Sequence, residues 1–87
     1  MLNLVYSPVF VRQFKKLDED LKEETVEKIE MFKNISNHKE LHVHKLNGRL
    51  KERYSFSVNY SFRVIFSYAS KKEVNLLAIG NHDVYKN

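Results

Sequence analysis

The sequence contains no cysteine and no tryptophan, and it has only two glycines and one proline. The absence of cysteine excludes disulfides, zinc–thiolate sites and a cysteine nucleophile, and it fits the reducing cytoplasm, where we expect the chain to act. No P-loop, GxSxG or GxGxxG motif is present. No apolar run approaches the roughly 20 residues of a membrane span. The first ten residues do not resemble a signal peptide either.

The chain carries a formal net charge of +4, and that charge is concentrated in its second half. Residues 1–40 contain seven Lys or Arg and eight Asp or Glu, whereas residues 41–87 contain eight and three. Such asymmetry indicates an anionic partner for the C-terminal half, with nucleic acid as the first candidate. Small basic domains without such a partner are also common, so both interpretations stay open. The length predicts one domain spanning residues 1–87.

The N-terminal half predicts a short strand followed by two helices. Alternating residues form the strand, and Ser7 with Pro8 then supplies an N-cap and a first helical residue. Asp18 or Asp20 caps a second helix over residues 21–34. The apolar stripe of this second helix is predicted to comprise Leu21, Val26, Ile29, Phe32 and Ile35.

After residue 40 the hydrophobic period changes from that of a helix to that of a strand. Strands are predicted over residues 42–46, 53–58, 62–68 and 73–79, with Asn47-Gly48 as a turn. Short connections make consecutive strands antiparallel. The predicted fold is α+β: an N-terminal strand and a two-helix hairpin packed on a twisted antiparallel sheet of about four strands.

Arg63 is the most informative single position, because it lies within an otherwise apolar strand beside Phe62, Val64 and Ile65. An arginine in such a strand must find an anion, solvent or the rim of a concave surface. Its planar guanidinium suits a phosphate, since it can bind two oxygens at once. An ion pair at the sheet edge, with Glu52 or Glu73, is the alternative.

Two histidines, His44 and His82, could act as proton donor and acceptor on a phosphodiester, because imidazole can transfer protons in both directions near neutral pH. His42 is two residues from His44 and would share its strand face, so either could be the functional one. A single strand histidine is nevertheless more often an ordinary surface residue. His38 falls in a predicted loop and has no assigned role.

Metal binding is a competing use of these histidines. His42 and His44, together with His82 and Asp83, could chelate zinc. No third ligand at diagnostic spacing is present, so the sequence predicts neither a metal nor another cofactor.

Basic side chains surround the Asn47-Gly48 turn and predict contacts with RNA phosphates. They are Lys45, Arg49, Lys51 and Arg53. Tyr54, Tyr60 and Tyr68 could stack on bases, although tyrosine is also a favoured strand residue. Tyr85 differs from them because it follows Gly80 near the chain end, where little core is left to join.

Taken together, these features resemble the RelE/ParE superfamily of bacterial and archaeal toxins over essentially the full chain. The resemblance is carried by SPVFVRQFKKL near the start, an acidic second helix, and the segments HKLNGRLKERYSFSVNYSFRVIF and LLAIGNHDVY. Its most specific parts are the K-L-x-G turn and the G-x-H-D-x-Y ending. The superfamily fold is a two-helix hairpin on an antiparallel sheet, as the periodicity predicts.

The resemblance implies the toxin of a type II toxin–antitoxin pair, whose RelE-like members are mRNA interferases. These enter the ribosomal A site and cleave messenger RNA without a metal, by making the 2′-OH attack the adjacent phosphate. By position, Arg63 looks like the arginine that stabilises the phosphate, and His82 like the histidine that protonates the leaving 5′-oxygen. His44 resembles the general base of YafQ-like members, and Glu40 falls near that of YoeB-like members. Tyr85 resembles the terminal aromatic that contacts the substrate base.

The chain departs from the superfamily pattern at several positions. Asn81-His82 replaces the C-terminal arginine of members closest to RelE. Ser57 and Ser61 stand where YafQ-like members have a histidine and an aspartate. The predicted site is therefore a mixture of those found in different members.

The identity of the general base is left open among His44, His42 and Glu40. A second functional alternative is a ParE-like member, which shares the fold but inhibits DNA gyrase and has no nuclease site. The presence of both Arg63 and His82 favours the nuclease.

The resemblance also implies partners. An acidic, partly disordered cognate antitoxin is expected to neutralise the toxin, and the ribosome and messenger RNA are its targets. The basic sheet face and the groove along the helix at residues 21–34 are the predicted antitoxin surface. The resulting complex is expected to bind operator DNA through the antitoxin, and no membrane partner is predicted.

Overall fold

The computed structural model describes residues 1–48 and 52–81. Along the chain the elements are strand β1 (Asn3–Tyr6), helix α1 (Pro8–Lys15), helix α2 (Glu19–Phe32), a short 3₁₀ helix (Ile35–Asn37), and strands β2 (His44–Lys45), β3 (Tyr54–Ser57), β4 (Arg63–Tyr68) and β5 (Glu73–Gly80). No helix among the described residues is long and apolar enough to cross a membrane.

Both helices begin at the predicted caps. The Ser7 hydroxyl accepts a hydrogen bond from the Phe10 amide at 3.1 Å, and Pro8 is the first residue of α1. The Asp18 carboxylate accepts from the Leu21 amide at 2.8 Å at the start of α2. These side chains satisfy amides that have no partner within the helix, so the three residues 16–18 suffice to link α1 to α2.

The buried face of α2 differs from the predicted stripe. Val26 is 50% exposed, and Ile35 lies beyond the helix and is 64% exposed. Thr25 is fully buried instead, because its hydroxyl donates to the Leu21 carbonyl at 2.7 Å and so loses no hydrogen bond inside the protein. The predictions for Val26 and Ile35 were wrong. A pattern of hydrophobic residues does not reveal that a threonine can be buried when its hydroxyl is hydrogen-bonded within the helix.

The strands form one five-stranded sheet in the order β1-β5-β4-β3-β2. Strands β2 to β5 pair antiparallel with their sequence neighbours, as predicted. Strand β1 joins the edge of this sheet parallel to β5, with Asn3 opposite Glu73. The sheet is therefore mixed and has one strand more than predicted, because the partner of β1 lies some 70 residues away and local pattern does not reveal it.

The core lies between the helices and one face of the sheet. Phe32 at the end of α2 is its centre: the ring is fully buried, stacks on Phe56 at 4.4 Å and meets Phe66 edge-on at 4.7 Å. Two side chains also fasten α1 to β5. The Ser7 hydroxyl donates to the Leu77 carbonyl, and the Gln13 side-chain oxygen accepts from the Ile79 amide.

Strand β2 is shorter than predicted. It contains only His44 and Lys45, because His42 adopts a left-handed backbone conformation with φ of 56° that no strand continues through. The expectation that His42 and His44 share one strand face was therefore wrong. His42 belongs to a tight turn that precedes β2, whereas His44 is the first residue of β2.

Candidate active site

Arg63 is the first residue of β4 and lies on the sheet face opposite the core. Its neighbours Val64 and Phe66 are fully buried in the core, whereas Arg63 is half-buried. Across the sheet it pairs with Ser57 of β3 on one side and Gly80 of β5 on the other. Because glycine has no side chain and serine has a short one, the guanidinium has room to extend over the sheet.

Two serines hold the guanidinium in place. The Arg63 Nε donates to the Ser55 hydroxyl at 3.1 Å, and Nη1 donates to the Ser57 hydroxyl at 2.9 Å. Ser55 is fully buried, so its hydroxyl is a fixed acceptor. Two contacts to neutral oxygens orient the arginine without cancelling its charge.

No carboxylate neutralises Arg63 within the part of the chain that the structure describes. The ion pairs found there join Lys22 to Glu19, Lys28 to Glu27 and Lys33 to Glu30. The alternative of an ion pair between Arg63 and Glu52 or Glu73 was therefore wrong. A half-buried guanidinium with neutral acceptors keeps its attraction for an anion.

A short loop brings two histidines to Arg63. Leu41 is buried in the core, and its carbonyl accepts from the Ser57 amide at 2.8 Å, which fastens the loop to β3. His38, which had no predicted role, anchors the start of the loop. Its Nε2 lies 2.8 Å from the Phe32 carbonyl, and its ring stacks on Phe32 at 4.6 Å. The left-handed turn at His42 then directs that residue's carbonyl to Arg63 Nη2, at 3.2 Å.

The Nδ1 atom of His44 has two mutually exclusive partners. It lies 3.3 Å from Arg63 Nη2, which can only donate, and 3.1 Å from the His42 carbonyl, which can only accept. An unprotonated Nδ1 accepts from the arginine and leaves the proton on Nε2. A protonated Nδ1 donates to the carbonyl, so that Nε2 of the neutral ring can accept a proton. The tautomer of His44 thus decides whether its outer nitrogen donates a hydrogen bond or accepts a proton.

These groups open into a cavity of about 700 Å³. It brings together three of the residues predicted from sequence, Arg63, His44 and Glu40, with His42 beside them. Glu40 is exposed and has no hydrogen bond or ion pair within residues 1–48 and 52–81. The remaining lining residues are Glu24, Lys28, Met31, Leu41, Ser57, Val58, Asn59 and Tyr60.

The other predicted residues lie elsewhere. Lys45 is exposed on β2. Arg53 is half-buried just before β3, and its carbonyl accepts from the Leu46 amide at 2.8 Å. Neither residue lines the cavity. Four further predicted residues lie outside the described part of the chain, so their predictions stay untested: Arg49, Lys51, His82 and Tyr85.

Sequence reasoning did not single out the serines that hold Arg63. Ser55 was not considered, and Ser57 entered only as a departure from a superfamily pattern. The S-F-S alternation in β3 is the signal that could have found them, because it places two hydroxyls on one face beside a strand arginine. Lys28 of α2 was also missed, since helix residues reach the cavity only through tertiary packing.

The tyrosines separate into packed and exposed side chains. Tyr54 stacks on Phe66 at 5.5 Å and meets Tyr68 edge-on at 5.1 Å. Burial raises the pKa of the Tyr68 phenol, and the neighbouring Tyr54 adds to this effect. Both therefore pack against other aromatic rings, whereas Tyr60 is 97% exposed at the cavity.

A second concavity of about 320 Å³ lies between the two helices. It is mostly apolar, with Lys15 and Glu30 as its charged members; the apolar residues are Tyr6, Phe10, Val11, Phe14, Val26 and Ile29. The exposed Val26 is thus part of a groove along α2.

No group of three or more histidine, aspartate or glutamate side chains suited to a metal ion is found among the described residues. The zinc alternative also invoked His82 and Asp83, which lie beyond residue 81, the last that the structure describes.

A model of a known protein family matches most of the chain. The model of the HigB-like toxin family, described as the RelE-like toxin of the type II toxin–antitoxin system HigB, matches residues 10–82. No curated protein matches the chain significantly.

Solved toxin structures share the fold. YafQ from E. coli has a TM-score of 0.72 and 18% identity, with 100% of both chains covered. The RelBE2 complex from Mycobacterium tuberculosis has a TM-score of 0.74 and 16% identity over 93% of this chain and 98% of that one. The YoeB–YefM complex from Staphylococcus aureus has a TM-score of 0.72 and 17% identity over 94% of this chain and 98% of that one. At such identities the likeness concerns the fold alone, which confirms the α+β prediction. The family match lends no support to the ParE-like alternative.

Proposed function

Since the chain belongs to the HigB-like family of RelE-like toxins of type II toxin–antitoxin systems, we propose that it is an mRNA interferase. The proposed activity is a metal-independent endoribonuclease acting on ribosome-bound messenger RNA in the cytoplasm. One observation carries the proposal: the guanidinium of Arg63 has only neutral acceptors and lies beside His44 in an open cavity. A cationic fork next to a proton-transfer group is the arrangement that phosphodiester cleavage needs.

In the proposed reaction, the 2′-oxygen of a ribose attacks the adjacent phosphorus while the bond to the 5′-oxygen of the next nucleotide breaks. A base takes the 2′-OH proton, and an acid supplies a proton to the leaving 5′-oxygen. The products are a 2′,3′-cyclic phosphate and a 5′-hydroxyl. In the transition state negative charge builds up on the nonbridging phosphate oxygens, and Arg63 stabilises this charge by donating hydrogen bonds.

The donors of Arg63 are sufficient for this role. A guanidinium has five N–H groups, and four of them are used by Ser55, Ser57, the His42 carbonyl and His44. One Nη1 hydrogen remains for phosphate. When Nδ1 of His44 is protonated and donates to the His42 carbonyl, it no longer accepts from Nη2, so a second hydrogen becomes available.

We assign His44 as the general base, in the tautomer that carries its proton on Nδ1. That tautomer leaves Nε2 free to accept the 2′-OH proton and also releases the Nη2 hydrogen of Arg63 for the substrate. Glu40 and His42 line the same cavity and are the alternative bases. His44 is preferred because it alone of the three has a side-chain contact with Arg63, at 3.3 Å. The acid would be His82, a role that rests on the superfamily resemblance.

Partners follow from the same assignment. Lys45 and Arg53, with Arg49 and Lys51, would bind ribosomal and messenger RNA through their charge. A cognate antitoxin would neutralise the toxin, and the apolar groove between α1 and α2 offers it a surface. An antitoxin that binds only the folded toxin also stabilises it by mass action. The toxin–antitoxin complex would reach operator DNA through the antitoxin.

The test is primer extension on a defined message in a purified translation system. The wild-type protein should cut within codons only when ribosomes are present, and Arg63→Ala should abolish the cuts. Arg12→Ala is the matched control, because Arg12 is exposed on α1 and does not line the cavity. It should cleave like the wild type.

Absence of cuts by a folded wild-type protein would overturn the proposal. A gyrase supercoiling assay then decides whether the protein is a ParE-like inhibitor. Equal cleavage by Arg63→Ala and the wild type would retain a nuclease but remove the role assigned to the arginine.

A further inference from the structure

Tyr60 has a property that no other tyrosine of the described chain shares. Its side chain is 97% exposed, and it makes no ring contact with any residue that the structure describes. Tyr6, Tyr54 and Tyr68 each contact another aromatic ring. A single exposed aromatic residue is common on protein surfaces. Tyr60 differs because it lines the same cavity as Arg63 and His44.

The turn that carries Tyr60 is tightly built. The Asn59 side-chain oxygen accepts from the Ser61 and Phe62 amides, both at 2.8 Å, and the Val58 amide donates to the Phe62 carbonyl at 2.9 Å. An asparagine that bonds the following amides fixes the turn locally. The backbone under the exposed ring is therefore held although the ring itself touches nothing.

A further hydrogen bond ties this turn to the helical layer. The Asn59 side-chain nitrogen donates to the Glu24 carboxylate of α2 at 2.9 Å. This contact spans 35 positions in the sequence and closes one side of the cavity. The bond also occupies one of the two acidic side chains that line the cavity, the other being Glu40.

We propose that Tyr60 is a stacking platform for one unpaired nucleobase of the RNA strand whose phosphate Arg63 binds; this inference rests on the proposed function. RNA-binding proteins commonly recognise single strands by stacking splayed bases on aromatic rings. A platform on a fixed turn loses little conformational freedom when a base binds. The cavity volume of about 700 Å³ lies within the roughly 300–1,000 Å³ typical of ligand sites.

The groups around Tyr60 favour a nucleic acid over a peptide as the occupant. Arg63 has no acidic partner within residues 1–48 and 52–81. Of the other charged lining residues, Lys28 is paired with a neighbouring carboxylate and Glu24 accepts from Asn59, while Glu40 completes the set. A strand that stacks a base on Tyr60 and lays its phosphate on Arg63 would use both the exposed ring and the unneutralised guanidinium. An acidic peptide would use Arg63 but leave the exposed ring without a planar partner.

The first experiment compares three variants in the ribosome-dependent cleavage assay. Tyr60→Phe and Tyr60→Trp keep an aromatic face and should cleave within about twofold of the wild type. Tyr60→Ala should raise the apparent KM for programmed ribosomes about tenfold, or ~1.4 kcal/mol, as expected when one base–aromatic stack is lost. Its kcat should change little, because a stacked base is bound equally in the ground and transition states. Equal KM values for Tyr60→Ala and the wild type would overturn the inference.

A second measurement does not depend on cleavage. The chain has no tryptophan, so Tyr60→Trp introduces a single indole whose fluorescence a stacked base quenches. The probe is a 2′-O-methyl hexaribonucleotide, which cannot be cleaved. Quenching should saturate with this oligonucleotide. It should be absent in Tyr68→Trp, because position 68 packs against Tyr54 and Phe66 at the other end of β4.

The two readouts separate failure of this inference from failure of the proposed function. Saturable quenching with an inactive wild-type protein would keep the nucleobase site and remove the nuclease. Cleavage without quenching, and without an effect of Tyr60→Ala, would remove the nucleobase site alone. Loss of antitoxin binding in Tyr60→Ala, with cleavage unchanged, would identify the ring as a protein contact and overturn the inference.

Discussion

Strand β4 places Val64 and Phe66 in the core, where both are fully buried, whereas Arg63 of the same strand lies on the opposite face among hydroxyl groups. The core face is closed by rings, with Phe66 edge-on to Phe32 at 4.7 Å. The Arg63 guanidinium instead borders a cavity of about 700 Å³, which α2, the loop before β2 and the turn after β3 also line. Strand β4 therefore contributes Val64 and Phe66 to the core and Arg63 to the proposed site.

This division between faces has a physical consequence. On the core face the free energy of folding comes from apolar area removed from water, so a substitution that shortens a buried side chain lowers the stability of the fold. On the site face Arg63 is half-buried and held by hydrogen bonds to neutral groups, so its removal should cost the fold less than the loss of a fully buried ring. Substitutions on the core face should therefore change mainly the free energy of unfolding, and substitutions on the site face should change mainly the rate of cleavage.

The largest expected effect is on the core face. Phe32→Ala removes a fully buried ring that contacts Phe56, Phe66 and His38. We expect the free energy of unfolding to fall by about 3–5 kcal/mol, as measured by urea denaturation.

The control for this prediction is Ile35→Ala, an apolar truncation three residues away at a side chain that is 64% exposed. It should change stability by no more than about 0.5 kcal/mol. If Phe32→Ala does not fold, Phe32→Leu gives the same comparison with a smaller loss. Equal effects at positions 32 and 35 would contradict the core described above.

An intermediate effect is expected where the site face meets β3. Ser57→Ala removes the acceptor of Arg63 Nη1 and leaves the guanidinium less well oriented. We expect kcat for ribosome-dependent cleavage to fall about tenfold, or ~1.4 kcal/mol of transition-state stabilisation, while the free energy of unfolding changes little. Ser55→Ala should act in the same direction through Nε.

Two controls test whether the serine acts through the arginine. Ser67→Ala changes a serine of β4 that does not line the cavity, and it should leave cleavage unchanged. Ser57→Ala should also cause no further loss in an Arg63→Ala background, because two residues that act through one contact are not additive. Additive losses would assign Ser57 a separate role.

Much of the core face could be predicted from the sequence. The caps at Ser7 and Asp18 and the antiparallel order of β2 to β5 depend on local chemistry, and both were confirmed. The parallel pairing of β1 with β5 was not predicted, because it joins distant segments. Val26 was predicted to be buried, but it is exposed in the groove between the helices. The sequence around an exposed valine and around a buried one can show the same helical spacing, so local pattern does not distinguish them.

The site face could be predicted only in part. Arg63 was found because a guanidinium in an apolar strand is chemically conspicuous, and His44 because imidazole suits proton transfer. Their partners could not be found in the same way. Ser55 and Ser57 matter only through the register that places them beside Arg63, and serine by itself indicates nothing. Tyr60 was grouped with packed tyrosines, since exposure is a property of the folded chain.

The smallest expected effect separates the two neighbouring histidines. His42 contributes its carbonyl to Arg63 and His44, whereas its side chain takes no part in those contacts. His42→Asn keeps the carbonyl, and asparagine tolerates the left-handed conformation found there. Cleavage should stay within about twofold of the wild type and stability within about 0.5 kcal/mol. The same substitution at the neighbouring position, His44→Asn, should abolish cleavage and leave the fold intact. If His42→Asn is the inactive variant instead, the base is His42, and the hydrogen bonds around Nδ1 of His44 only position Arg63.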